Sequence, residues 1–346
     1  MPTKNFNPVD VRDPKGEYTP VSIEGLSAGL VRHLELFVRA GNAFFLVKPK
    51  NMELTQSLLQ RFHGKFSHLY IHASERNGYF NGLEQNVTQI VKDPRFSERE
   101  KASVLTDYAV EIVDRLLKDP SSATAIKSAK SFADNAVKFI AENRFAFLHL
   151  VELSNHDHYT YAHSVGVAAY AVALAQSLGH WSKEHVAEIG LAGLLHDIGK
   201  ATVDPLILNK SGPLTAKEWE QMKSHPTSGA ELLRKHKNLS PMISLCAEAH
   251  HEDLRGLGYP KGLIASKLDS SVQVITIADA FSALTTNRSY SQARDSLSAL
   301  KLMQENVNKK FDPKFFERFV LLFLDPSKKQ AGDEDADALA AFLKVG

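Results

Sequence analysis

Seven His and Asp residues between positions 163 and 279 have the types and spacing to hold divalent cations, in a sequence that carries 15 histidines. His196 and Asp197 stand in the run Leu194-Leu195-His196-Asp197-Ile198-Gly199-Lys200. Neighbouring helical residues project about 100° apart, so one apolar helix end can aim both side chains into one cavity. An imidazole beside a carboxylate suits a divalent cation. His250 and His251 form the second pair. They are followed by Glu252-Asp253-Leu254-Arg255-Gly256-Leu257-Gly258-Tyr259-Pro260. Two glycines ahead of Tyr-Pro make a tight loop directly after the paired histidines. Such a loop can bring backbone donors and an aromatic ring to a bound phosphate or base.

Three further residues belong with these pairs. His163 lies inside an apolar helical stretch, His225 precedes Pro226 at a helix junction, and Asp279 sits in Val274-Ile275-Thr276-Ile277-Ala278-Asp279-Ala280-Phe281. Each alone has an ordinary explanation: a core histidine, a cap, a local hydrogen-bonder. A lone buried carboxylate would still cost several kcal/mol without a partner. Taken together, the ordinary explanations need separate coincidences along one helical region. The chemistry this set could do is hydrolysis of a phosphodiester, which resists neutral water. Two cations about 3.5–4 Å apart lower the pKa of a shared water and stabilise both in-line oxygens. Imidazole mixed with carboxylate favours iron, manganese or zinc over magnesium. Lys200, a point charge nearby, could offset charge on phosphoryl oxygens.

The elements that must position these residues are helices. Hydrophobic periodicity predicts helices over Tyr161 to Leu178, Glu184 to Leu195, Leu214 to Lys223 with Thr215 as N-cap, Pro226 to Lys235, Pro241 to His251, Val272 to Thr285 and Phe311 to Leu324. Upstream, Ser97 and Glu100 form a capping box ahead of a helix through Leu117, and another helix covers Ala123 to Ala141. The N-terminal part is mixed. Ala43 to Val47 and His68 to His72 read as strands, with Met52 to Phe62 helical between them. The fold class expected is therefore mixed: an α+β N-terminal region over 1–145, an all-α catalytic domain over 146–326, and a C-terminal tail over 327–346 with a short helix from Ala336 to Leu343.

Composition narrows the classes. Hydrophobic residues are 43% and charged residues 23%, ordinary for a globular chain. A formal net charge of +1 gives no global basic field for a nucleic-acid polymer. A single cysteine, Cys246, excludes an intrachain disulfide and a thiolate-rich zinc site, and reads as core packing. No run reaches the roughly 18 apolar residues of a membrane span, and Met1 to Pro20 lacks a signal-peptide core. The expectation is a cytoplasmic protein without membrane insertion.

The order His163, His196-Asp197, His225, His250-His251, Asp279 resembles the HD-GYP branch of the HD phosphohydrolases. The motifs around it are HSVGVAAY at 163–170, LLHDIGK at 194–200, ILNKSGPLT at 207–215, MKSHPTSGAELL at 222–233, HHEDLRGLGYP at 250–260 and IADAFSALTTNRSY at 277–290. The resemblance covers residues 150–325. It implies an all-α catalytic domain that hydrolyses cyclic di-GMP to linear pGpG, with GMP as the alternative end product, through a hydroxide bridging two divalent metal ions, iron or manganese by family expectation. It implies one metal on His163, His196, Asp197 and Asp279. The other would sit on Asp197, His225, His250 and His251, with Asp197 bridging. Lys200 would contact the scissile phosphate and Arg288 would bind phosphate. Gly256, Gly258, Tyr259 and Pro260 would line the substrate cleft.

The chain departs from the family at three places. Tyr159 stands where some members hold a third metal with Glu, so two metals are expected. Ser291 replaces a basic residue that assists Arg288, with Arg294 one turn further on. Ser282 replaces an acidic residue and could serve as a neutral donor behind the metal ligands. Residues 1–145 carry no recognisable chemistry: His63, His68 and His72 read as a mixed surface, and the region as a regulatory module or homodimer contact through the N-terminal or linker helices. The alternative function is a non-catalytic cyclic-dinucleotide receptor with a structural metal site.

Overall fold

The computed structural model describes residues 11–12, 17–23, 26, 31, 33–41, 43–62, 65–66, 68–143, 146–154, 159–210, 212–286 and 294–323. The chain divides into two compact units, Met1–Tyr108 and Ala109–Gly346.

The first unit holds a five-stranded antiparallel sheet in the order β1-β4-β3-β5-β2. Its strands are β1 (Val11–Arg12), β2 (Tyr18–Ser22), β3 (Leu36–Ala40), β4 (Ala43–Lys48) and β5 (His68–His72). Alternation along β5 buries Leu69 and Ile71 and leaves His68 and His72 half-buried on the other face. Those histidines join no candidate metal group among the described residues. The helix expected over Met52 to Phe62 is shorter. It is α1 (Gln56–Gln60), because the Thr55 side chain accepts from Leu58 N and starts the helix there. Helix α2 (Arg76–Lys92) buries Tyr79, Phe80, Leu83, Val87, Ile90 and Val91, a stripe at helical spacing.

Helix α3 (Glu98–Lys118) begins at the expected capping box. Glu100 Oε2 accepts from Ser97 N at 2.8 Å, and Ser97 Oγ accepts from Glu100 N at 3.3 Å. Helix α4 (Ala123–Glu142) packs on α7 (Lys183–Leu195) of the second unit, burying Ala129, Phe132, Ala133 and Ala136. The compact units part after Tyr108, within α3.

The rest of the second unit is helical: α5 (Ala146–Ser154), α6 (Tyr159–Leu178), α8 (Pro205–Leu208), α9 (Ala216–Met222), α10 (His225–Arg234), α11 (Pro241–Ala249), α12 (Ser270–Thr285), α13 (Ser296–Gln304) and α14 (Pro313–Val320). Helix α6 is apolar on every face, which places it at the centre. It packs against α5, α7, α12 and α14. Leu321 to Phe323 form a 3-10 turn where the sequence suggests α-helix, and the expected Ala336–Leu343 helix and the 327–346 tail lie outside the described residues. At the base of α12, Phe281 is fully buried and meets the rings of Tyr170, Phe319 and Phe323 at 5.0, 5.1 and 5.0 Å. This cluster fixes α12 two residues from Asp279. Phe281→Ala is expected to cost about 3–5 kcal/mol, read as a fall in the urea midpoint.

Candidate metal centre

Helix ends do most of the positioning. His163 comes from the interior of α6 and Asp279 from α12. His196 and Asp197 follow the last residue of α7, His225 is the first residue of α10, and His250 and His251 follow the last residue of α11. The structure brings all of them to one interior point. Two groups are disposed to hold a metal ion: His163, His196 and Asp197, and His225, His250 and His251. Within each group the ligand atoms lie within 4.8 Å of one another.

Asp197 stands between the two groups. Its Oδ2 lies 3.2 Å from His196 Nε2 and 3.6 Å from His163 Nε2. Its Oδ1 lies 3.2 Å from His225 Nε2 and 3.9 Å from His250 Nε2. Asp279 is divided in the same sense. Its Oδ1 is 3.2 Å from His163 Nε2, and its Oδ2 is 3.9 Å from His251 Nδ1. Lys200 donates to Asp197 Oδ2 at 2.5 Å.

The rings are oriented by the backbone behind them. Nδ1 of His196 meets Gly193 O at 2.7 Å, Nδ1 of His225 meets Met222 O at 2.7 Å, and Nδ1 of His250 meets Ala247 O at 2.9 Å. Each carbonyl belongs to the last turn of a helix and lacks a partner of its own there. A carbonyl only accepts, so each Nδ1 carries the proton and each Nε2 presents its lone pair to the centre. His163 Nδ1 meets Ser282 Oγ at 3.1 Å, and that hydroxyl donates to His163 O at 3.3 Å. Ser282 thus accepts from the ring, the reverse of the donor role anticipated.

This donor set fits a divalent cation. Nε2 of His225 and of His250 face each other at 3.3 Å. With both Nδ1 atoms protonated, the two Nε2 lone pairs oppose each other, and a divalent cation held by both residues would relieve that opposition. His196 Nε2 is buried with no hydrogen-bond partner among the described residues. Charge states agree. Burial opposes ionisation of Asp197 and Asp279, yet the surrounding imidazoles, with Lys200 at Asp197, hold both well below the usual carboxylate range. Burial, then the neighbouring imidazoles, keep His250 far below its ordinary pKa, and burial lowers His251 to about 3. Both are neutral ligands at pH 7.

Two features of this site escaped the sequence. Glu252 is buried, and its carboxylate accepts from Lys261 N at 2.7 Å and Leu263 N at 2.8 Å. Asp253 Oδ1 accepts from Arg255 N and Leu257 N at 2.8 and 3.0 Å. These two carboxylates clamp the loop bearing Gly256, Gly258, Tyr259 and Pro260. A Cβ on Gly258 would meet Glu252 Cα at 2.4 Å, so no side chain is accommodated. Tyr259 lies against His251, ring centroids 4.7 Å apart. Gly199 makes a second close approach, since a Cβ there would meet His225 O at 1.9 Å and Gly229 N at 2.5 Å. Cys246 is buried, and burial pushes its thiol up, as a packing residue requires. Arg288 and Ser291 lie outside the described residues.

With this helical bundle and its His/Asp cluster in place, the class is defined: the chain belongs to the HD domain family, whose model matches residues 87–315. Within that family it carries the HD-GYP motif set. It is similar to a cyclic di-GMP phosphodiesterase of Pseudomonas aeruginosa, 36% identical over 64% of this chain and 54% of that protein. It is also similar to a 3'3'-cGAMP-specific phosphodiesterase of Vibrio cholerae, 33% identical over 68% of this chain and 47% of that protein. A cyclic di-GMP phosphodiesterase of Thermotoga maritima is 28% identical over 87% of this chain and 70% of its own length. The chain thus spans about half the length of the first two relatives. The fold is shared with a solved HDG"Y"P protein from Bdellovibrio bacteriovorus, with a TM-score of 0.66 and 23% identity over 87% of this chain and 98% of that one. No helix among the described residues is long and apolar enough to cross a membrane.

A pH dependence follows for chelator-treated protein. The folded His251 binds its proton only near pH 3, whereas the unfolded residue does so near 6.5. The unfolded state therefore holds more protons between those values, and stability is lost as pH falls through that window. At pH 5 the loss from His251 is about 2 kcal/mol relative to pH 7. His163 and His250 shift in the same direction and His196 in the opposite one. Urea midpoints at pH 7 and pH 5 should fall accordingly, and His251→Gln should shrink the difference.

Proposed function

We propose that the chain hydrolyses cyclic di-GMP to linear pGpG, with GMP as the alternative end product, at a pair of divalent cations. His163, His196, Asp197 and Asp279 would hold one, and Asp197, His225, His250 and His251 the other. The observation that carries this reading is the division of the Asp197 carboxylate, one oxygen toward each histidine group. Imidazole with carboxylate suits iron or manganese. When bound, two such cations supply an activated water and neutralise charge on the phosphoryl oxygens.

The chain's own groups do the rest. Lys200, held on Asp197, places an ammonium beside the position a scissile phosphate would take, where it offsets developing negative charge. The loop from Gly256 to Pro260, fixed by Glu252 and Asp253, would form one wall of the substrate cleft. Arg288, by its place in the motif, binds phosphate. Asp197 and Asp279 remain ionised and His163, His250 and His251 neutral, so these five ligands need no proton release at pH 7.

The V. cholerae relative's name makes 3'3'-cGAMP the second substrate to assay. Protein purified anaerobically should carry two metal equivalents and turn over cyclic di-GMP with added ferrous or manganous ion. Three equivalents would remove the inference from Tyr159, and binding of the dinucleotide without product would favour a receptor. Asp197→Ala should lose metal from both groups and reduce turnover by at least about a thousandfold, checked by metal quantitation beside product chromatography.

A further inference from the structure

Trp219 is one of two tryptophans in the chain, and 45% of its surface is exposed. It sits on α9, whose start is fixed by the Thr215–Glu218 capping box. Lys210 Nζ also bonds to Glu218 Oε2 at 2.6 Å, so the residue beside Trp219 is held from two sides. The indole centroid lies 6.4 Å from the Tyr259 ring, with the planes at 74°. Tyr259 lies 4.7 Å from His251, and His251 lies 4.1 Å from His250. A row of rings therefore leads from the metal centre outward and ends on an exposed indole.

Nearly half of this large apolar ring is open at the outer end of that row. A cyclic dinucleotide with one phosphate at the centre carries its purines outward, one ribose beyond the phosphate. Purines have flat apolar faces that stack on indoles with little regard to their edge pattern. We propose that Trp219 is a substrate-positioning residue whose indole face stacks a purine of the nucleotide, with the Tyr259 ring closing one side of the notch. This rests on the proposed function for the substrate class, but the stacking itself can be read without turnover.

The test has two arms. In the first, steady-state hydrolysis of cyclic di-GMP and 3'3'-cGAMP is compared for wild type, Trp219→Ala and Trp219→Phe. The expected result for Trp219→Ala is a KM raised on the order of tenfold, with kcat within threefold, and substantial recovery in Trp219→Phe. An unchanged KM, or an equal loss of kcat in both variants, overturns the proposal. In the second arm, Trp181→Phe leaves Trp219 as the reporter, and its emission is titrated with GMP and with ribose 5-phosphate. Quenching by GMP alone supports a base on the indole, and equal responses to both overturn it. If wild type hydrolyses neither dinucleotide, the proposed function fails, and the emission arm still decides the stacking.

Discussion

Two carboxylates buried in a helical core are the constraint that the second unit is built to satisfy. An isolated carboxylate in such a place would take up a proton or open the core to water. Asp197 and Asp279 remain ionised because each is ringed by imidazoles, and Asp197 also by the Lys200 ammonium. The imidazoles in turn are aimed by carbonyls at the last turns of helices. Helix ends, which elsewhere need caps or solvent, here find partners in ligand side chains. The bundle and the site therefore satisfy one another: the same hydrogen bonds finish the helices and orient the rings.

The site was legible in the sequence because its residues are rare in apolar helical stretches and keep a fixed order. His163 and Asp279 stood out as polar groups among Val, Ala and Ile. The helices were legible where chemistry marks their ends, as at Ser97 with Glu100 and Thr215 with Glu218. The sheet was harder to read. Strand β3 pairs on both sides, yet Leu36–Ala40 carries only a short apolar run before Arg39, and β1 is two residues long. Helices α5 and α13 were not foreseen, although Asp295 caps α13 by accepting from Ser298 N. The placement of α4 depends on its apolar face meeting α7, a contact between distant segments that local pattern does not encode.

What the sequence concealed most completely was the support of the loop. Glu252 and Asp253 follow the paired histidines and look like solvated acids. Their acceptor oxygens are instead directed at backbone amides up to eleven residues away. An inner set of ligands is thus continued outward by a loop whose conformation is held by carboxylate-to-amide bonds, and then by Tyr259 and Trp219. In the proposed reaction the inner part would serve phosphate chemistry, and the outer part recognition of what the phosphate is attached to.

The contact of Gly199 with the backbone of His225 and Gly229 has a mechanical consequence. Side chains yield by changing rotamer, so distances set through them are compliant. Here two main chains touch with nothing interposed. The segment carrying His196 and Asp197 and the segment carrying His225 are seated against each other at a hard stop. Close-packed backbone is barely compressible. The gap between the two ligand groups is consequently gauged by peptide atoms, and any larger residue at position 199 would act as a shim, widening the gap without altering a single ligand.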